Sequence, residues 1–121
     1  MTILDANAIL RFLLRDIVGQ AIRVRDIMDQ ETCFIPVEVL AEVVYVLYKT
    51  YDIERSLVQQ KLFDFLKNEN VLTTNNEVVE TALHYFVETK LDFVDCLMIG
   101  YAVDAGHQVF TFDKDLQKHL P

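Results

Sequence analysis

Short apolar runs recur along this chain, and the segments between them have the length and spacing of helices. The runs are MTIL (1–4), TCFIP (32–36), NVLTT (70–74) and QVFTF (108–112). Two helix-length segments follow each of the first three runs, and one short segment follows the last. Parallel strands need such helical crossovers between them. The alternation therefore predicts an α/β fold: a three-layer α/β/α sandwich with a central, mainly parallel sheet of four to five strands.

The helix-length segments carry apolar residues at intervals of three and four, and several have recognisable ends. Asp5 or Asn7 is a suitable N-terminal cap for the first, and Gly106 a C-terminal cap for the sixth. The predicted helices cover residues 6–15, 16–30, 37–50, 52–68, 75–90, 92–106 and 113–120. The chain has 121 residues, 52% of them hydrophobic, with only three Gly and two Pro. We therefore expect one domain over residues 1–121, with its own core.

Other classes of protein are disfavoured by what interrupts the apolar segments. Charged residues break every long apolar stretch, so none is expected to span a membrane. No basic segment followed by an apolar core opens the chain, so we expect a cytoplasmic protein. Cys33 and Cys96 stand alone and form no metal-ligand spacing, which is typical of buried, reduced thiols.

Isolated carboxylates lie in or directly after the apolar segments. Asp5 follows TIL, and Asp113 follows QVFTF. Glu42 is the only charge between Val39 and Tyr48, and Asp95 is the only charge between Phe93 and Val103. An unpaired carboxylate is costly in apolar surroundings, so a role other than packing is expected. Ligands of parallel sheets bind beyond the carboxyl ends of the strands, where we expect these acids to meet.

Four carboxylates in one crevice would repel one another. Two such charges about 5 Å apart repel by roughly 3 kcal/mol at an effective dielectric constant of 20, so the group must bind protons or a hard cation. Mg²⁺ and Mn²⁺ prefer oxygen ligands, and such ions activate water and stabilise phosphoryl charge. Acidic residues without His or Cys therefore favour phosphodiester hydrolysis. The net charge of −8 disfavours a protein that binds nucleic acid by bulk electrostatics alone.

Four segments resemble one family in composition and in order. They are ILDANAILRFLL near the N-terminus, PVEVLAEVVYVL after the second strand, LDFVDCLMIGYAV around residue 95 and VFTFDKDL near the end. With these segments the chain resembles the PIN-domain ribonucleases, and among them the toxins of bacterial VapBC toxin–antitoxin pairs. The resemblance covers essentially the whole chain. It implies a PIN-like fold and a metal-dependent endoribonuclease.

The resemblance also implies which residues form the site. The acids that would bind Mg²⁺ or Mn²⁺ and carry catalysis are Asp5, Glu42, Asp95 and Asp113. The secondary candidates are Asn7 and Thr111 as polar supports, and Asp92 and Asp115 as alternatives to neighbouring acids. Ala6 departs from the pattern, because many relatives have Thr or Ser there. That departure removes a helper hydroxyl and leaves the carboxylate in place.

The resemblance implies partners as well. They are an RNA substrate such as tRNA, a cognate antitoxin that blocks the site with a C-terminal segment, and a second copy in a homodimer. Five basic residues are candidates to steer RNA toward the acids: Arg11, Arg15, Arg23, Arg25 and Lys49. One alternative is an inactive PIN fold that serves as a protein-interaction module. A phosphorelay receiver-like domain is disfavoured, because Asp5 stands alone after the first strand and NVLTTNN contains no Asp.

Overall fold

The computed structural model describes all 121 residues, which form two compact units, Met1–Thr74 and Asn75–Pro121. The first unit contains three strands, four α-helices and one π-helical segment. In chain order they are β1 (Thr2–Ile3), α1 (Ala6–Leu14), α2 (Val18–Gln30), β2 (Cys33–Ile35), α3 (Val37–Tyr45), the π-helical segment (Val46–Thr50), α4 (Arg55–Leu66) and β3 (Val71–Thr73). The second unit contains α5 (Asn76–Glu88), α6 (Phe93–Ala105) and α7 (Lys114–Gln117). The seven predicted helices are thus confirmed, with the end of the third in π-helical form.

The strands form a parallel sheet in the order β1-β2-β3. Cys33 of β2 aligns with Thr2 on one side and with Val71 on the other. The Thr73 hydroxyl adds a hydrogen bond of 2.8 Å to the Ile35 carbonyl, which fastens the carboxyl end of β3 to that of β2. Two helical segments connect each pair of neighbouring strands, as parallel pairing requires. The α/β class and the parallel sheet are therefore confirmed.

The predicted number of strands, four to five, was wrong, because the sheet has three. The missing strand is QVFTF, residues 108–112, which forms no strand. Phe110 and Phe112 are each 86% exposed, and their rings contact each other at a centroid distance of 5.2 Å. β-branched and aromatic residues favour strands only where a neighbouring strand pairs with them and a surface buries them. Propensity alone therefore predicted a strand where pairing is absent.

Apolar residues at helical spacing fill the core of each unit. In the first unit, α1, α3 and α4 each bury an apolar face; the residues with no exposed surface include Ile9, Leu40, Val43 and Leu62. In the second unit α5 does the same through Val79, Ala82 and Leu83. Cys33 and Cys96 are both buried as free thiols. Burial, and then the nearby Glu31, raise the pKa of the Cys33 thiol, which keeps it protonated and inert. No helix combines the length and hydropathy needed to cross a membrane.

Helices α5 and α6 pack so closely that Gly100 cannot be replaced without movement of the backbone. A Cβ atom on Gly100 would lie 2.5 Å from the carbonyl oxygen of Val78. We expect Gly100→Ala to destabilise the protein by about 1–3 kcal/mol, as overpacking of a well-packed contact does. Urea unfolding followed by circular dichroism measures this change.

Gly19 in α2 provides a matched control, because a Cβ atom there has no neighbour within 4 Å. Gly19→Ala is expected to stabilise the protein by about 0.4–1 kcal/mol, because it restricts the unfolded chain. If both variants changed the free energy of unfolding by the same amount and sign, close packing at Gly100 would not be the cause.

Candidate active site

Asp5 caps the first helix directly after the first strand. The Ala8 amide donates a 2.8 Å hydrogen bond to Asp5 Oδ1, and this bond fixes the start of α1. The other carboxylate oxygen, Oδ2, accepts no hydrogen bond within the protein, and the side chain is exposed. Of the two caps considered from the sequence, the structure selects Asp5, and Asn7 is an exposed residue of the first turn. One oxygen of Asp5 is therefore structural, and the other remains free for a ligand.

A groove between α1 and α2 begins at Asp5. Its volume is about 230 Å³, and it is lined by Asp5, Asn7, Ala8, Arg11, Gln20, Arg23, Val24 and Ile27. Arg11 is held in place, because it donates to Asp16 at 2.8 Å and to the Tyr51 hydroxyl at 3.4 Å. The lining thus combines a carboxylate, amide and guanidinium groups, and apolar side chains. We name this feature the α1–α2 groove.

The other basic candidates lie elsewhere. Arg15 and Arg25 line a second, mostly apolar groove on the same two helices, together with Phe12, Val18 and Ile22. The Lys49 ammonium sits 5.1 Å from the centre of the Tyr48 ring. Arg11 and Arg23, by contrast, share the α1–α2 groove with Asp5, a predicted catalytic acid.

Glu42 lies on the exposed face of α3, which corrects the expectation of apolar surroundings. Glu38, Tyr45 and Lys49 follow the same exposed stripe, at helical spacing from Glu42. No charged side chain in the chain is buried. The apolar neighbours of Glu42 along the sequence point to other sides of the helix. The desolvation argument therefore does not apply to Glu42, and its predicted role in metal binding stays a prediction from the family pattern.

Asp95 and Asp113 form one electrostatic cluster in the second unit. Asp95 is in the first turn of α6 and is partly buried. Burial raises the pKa of the Asp95 carboxyl, and the negative charges of Asp113 and then Asp92 raise it further. No positive charge is among the causes of this shift, so no cation of the protein favours the ionised form of Asp95.

Asp113 is positioned by its neighbours in the chain. Its Oδ1 accepts hydrogen bonds from the amides of Asp115 and Leu116, at 2.9 and 3.2 Å, and so caps α7. The Thr111 hydroxyl accepts a 3.0 Å bond from the Asp113 amide, and Gln117 binds the Thr111 carbonyl at 2.7 Å. Thr111 therefore supports Asp113. As in Asp5, one carboxylate oxygen is engaged in capping and the other accepts no bond.

The alternative acids differ from their neighbours in surroundings. Asp115 faces Lys118 at 3.5 Å and lines a cavity with Glu88 and His119. Asp92 is exposed at the start of α6, and its side chain makes no capping bond. Asp92 contributes less than Asp113 to the shift at Asp95. These surroundings favour Asp95 and Asp113 over Asp92 and Asp115.

The chemistry of the donor groups fits a hard divalent cation. The candidates are carboxylate oxygens, the ligands that Mg²⁺ and Mn²⁺ prefer. The uncompensated charge around Asp95 is the kind that such a cation neutralises. No three acidic, imidazole or thiol groups converge closely enough in the structure to hold a metal by themselves. Because Mg²⁺ usually keeps several waters and needs only one or two carboxylates, the donor set still fits.

Comparison with family models gives the class of the protein. The PIN domain model matches residues 2–119, which span both units. The chain therefore belongs to the PIN domain family, whose members are generally nucleases that use divalent metal ions. Comparisons with curated proteins and with solved structures found no match.

Sequence reasoning missed the α1–α2 groove as a feature. It named Arg11 and Arg23 only as members of a basic set, and it did not name Gln20. A signal was present, because Gln20, Arg23, Val24 and Ile27 follow the i, i+3, i+4, i+7 pattern of one helix face. What the pattern lacks is the position of that face beside Asp5, which depends on the packing of α2 on α1.

Two substitutions at Asp5 separate its capping role from its charge. Asn caps helices about as well as Asp, so Asp5→Asn is expected to leave the free energy of unfolding nearly unchanged. Asp5→Ala removes the bond from Ala8 and is expected to cost about 1 kcal/mol. Both variants lose the carboxylate and are expected to lose nuclease activity. Equal stability of the two variants in urea unfolding would contradict the capping role.

Proposed function

We propose that this protein is a metal-dependent endoribonuclease that hydrolyses RNA phosphodiester bonds. Membership of the PIN domain family supports the reaction class. The observation that carries the proposal is the acidic cluster around Asp95, where burial and then the negative charges of Asp113 and Asp92 raise the pKa of the Asp95 carboxyl. A structural ion-pair network would compensate such charge, whereas a site that recruits a cation from solution leaves it uncompensated.

In the proposed mechanism Asp5, Glu42, Asp95 and Asp113 hold Mg²⁺ or Mn²⁺. Such an ion, when bound, supplies an activated water and stabilises charge on the phosphoryl oxygens. The oxygens of Asp5 and Asp113 that capping leaves free would be available to such an ion. Asp95 would contribute a further carboxylate. No side chain serves as a covalent nucleophile.

The finer identity is also a proposal. We propose a toxin of the VapC type, the RNA-cleaving component of a type II toxin–antitoxin pair, which acts on tRNA or another structured RNA. The four ordered motifs support it, from ILDANAILRFLL to VFTFDKDL. A cognate antitoxin, a homodimer and a cytoplasmic location belong to the same proposal. The two free, buried thiols suit a reducing compartment.

The test is cleavage of total tRNA by the purified protein. We expect defined cuts with Mg²⁺ or Mn²⁺ and none after addition of EDTA. Restoring excess Mn²⁺ should restore the same cuts, which excludes a metal-independent contaminant. Cleavage that persists in EDTA would overturn the proposal. Absence of cleavage together with absence of metal binding in calorimetry would instead favour the inactive interaction module.

A further inference from the structure

One of the two guanidinium groups that line the α1–α2 groove makes no ion pair within the protein. Arg11 lines this groove, but its charge is paired with Asp16 at 2.8 Å. Arg23 lines the same groove, is exposed, and takes part in none of the ion pairs of the structure. An anion is the complementary ligand for it.

The remaining lining tells which kind of anion fits. Asn7 and Gln20 offer amide groups that both donate and accept hydrogen bonds, and Val24 and Ile27 contribute apolar side chains. Polar donors beside apolar side chains suit a phosphate joined to a sugar. The volume of about 230 Å³ lies below the roughly 300–1,000 Å³ of clefts for drug-sized ligands. A volume of this size accommodates a group about as large as one phosphate–ribose unit of a single strand.

We propose that the α1–α2 groove binds the RNA strand beside the scissile bond, with Arg23 as the residue that binds its phosphate. This inference rests on the proposed nuclease function, because Asp5, a proposed metal ligand, is one of the residues that line the groove. Arg23 is a positioning residue: it binds a phosphate next to the one that is cut. Arg11 shapes the groove, held by Asp16 and Tyr51.

Arg25 provides a matched control for Arg23. It is on the same helix, two residues from Arg23, and is also exposed, but it lines the other groove, beside Phe12 and Ile22. Arg23→Gln and Arg25→Gln change the net charge equally. Bulk electrostatics would weaken RNA binding equally in both variants, whereas a phosphate contact in the α1–α2 groove weakens it only in the first.

The experiment measures binding of a fluorescein-labelled single-stranded RNA by anisotropy, in Ca²⁺ and at several salt concentrations. We expect Arg23→Gln to raise Kd about tenfold, the value of one charge-assisted hydrogen bond. The slope of log Kd against log salt should fall by about 0.7, as for one lost contact to a single strand. Arg23→Lys should recover most of the binding, and Arg25→Gln should stay within about twofold of the wild type. Equal effects of Arg23→Gln and Arg25→Gln on Kd would overturn the proposal that the α1–α2 groove binds RNA. Absence of RNA binding by the wild type would overturn it as well.

Cleavage assays separate this inference from the nuclease proposal. If the wild type cleaves RNA, Arg23→Gln should raise KM about tenfold and change kcat little, since the contact is made equally before and during reaction. If the wild type cleaves RNA and the Arg23→Gln and Arg25→Gln variants have equal KM, RNA binding by the α1–α2 groove is refuted. The proposed nuclease activity would not be affected by that result. If only Arg23→Gln loses RNA binding and the wild type does not cleave RNA, the proposed nuclease activity is refuted. RNA binding by the α1–α2 groove would then still be supported.

Discussion

Asp95→Asn is expected to abolish RNA cleavage and to stabilise the metal-free protein. The loss of cleavage should be at least about 100-fold, because a metal ion contributes several kcal/mol to the transition state and about 1.4 kcal/mol corresponds to a factor of ten. The gain in stability follows from the surroundings of Asp95. Burial and the charges of Asp113 and Asp92 penalise its ionised form. Asn keeps the shape of the side chain and removes that penalty.

The difference in the free energy of unfolding between Asp95→Asn and the wild type should depend on pH. Because the pKa of Asp95 is raised in the folded state, the folded protein holds this proton more tightly than the unfolded chain does. The stabilisation from the protonated Asp95 is complete below the ordinary pKa of 3.8 and is lost as the pH rises through the raised value. Asp95→Asn should therefore be more stable than the wild type at neutral pH, and the difference should shrink on acidification.

Urea unfolding of the two proteins in EDTA, from neutral to acidic pH, measures this difference. The control is Asp29→Asn, because Asp29 is exposed on α2 and has no hydrogen bond or ion pair. It should change neither stability nor cleavage. Lower stability of Asp95→Asn than of the wild type at neutral pH would contradict the statement that burial and neighbouring negative charges penalise the ionised form of Asp95.

The second large effect is stabilisation by a divalent cation. A ligand that binds only the folded state at a hundred times its Kd adds about 2.7 kcal/mol to the free energy of unfolding. For a chain of 121 residues this corresponds to a rise in Tm of roughly 10 °C, at about 4 °C for each kcal/mol. Mn²⁺ should raise the Tm of the wild type by this amount, and EDTA should reverse the rise.

Two variants make this measurement specific to the proposed ligands. Asp5→Asn and Asp95→Asn should each lose most of the Mn²⁺-dependent rise in Tm, whereas Asp29→Asn should keep it. These substitutions keep their helices capped or intact, so an altered fold would not explain the loss. A full rise in Tm in both Asp5→Asn and Asp95→Asn would mean that the cation binds elsewhere.

The helices were predictable because each buries one face, and a face is visible in the sequence as apolar residues three and four apart. The absence of a strand at residues 108–112 could not be predicted, because a strand exists only where another strand pairs with it. The surroundings of Glu42 were misjudged for a related reason. Residues adjacent in a helix point about 100° apart, so apolar neighbours in the sequence do not bury a side chain on the exposed face.

The residues of the candidate site were likewise only partly predictable from the sequence. Asp5 and Asp113 could be predicted, because an acid directly after an apolar run both ends that run and caps the next helix. The resemblance preferred Asp95 to Asp92, and the structure adds a physical difference, because Asp95 is partly buried and Asp92 is exposed. The α1–α2 groove needed the structure, because its lining comes from two helices whose packing no local pattern encodes.

The most direct measurement is the cleavage rate of one labelled tRNA, with saturating Mg²⁺ or Mn²⁺, for the wild type and five single variants. Four of them remove the proposed ligands: Asp5→Asn, Glu42→Gln, Asp95→Asn and Asp113→Asn. The fifth is the control Asp29→Asn. We expect a loss of about 100-fold or more in each of the four, with the control within about twofold of the wild type. Wild-type rates in Asp5→Asn and Asp95→Asn, or the same cuts in EDTA, would contradict the proposed metal-dependent nuclease activity.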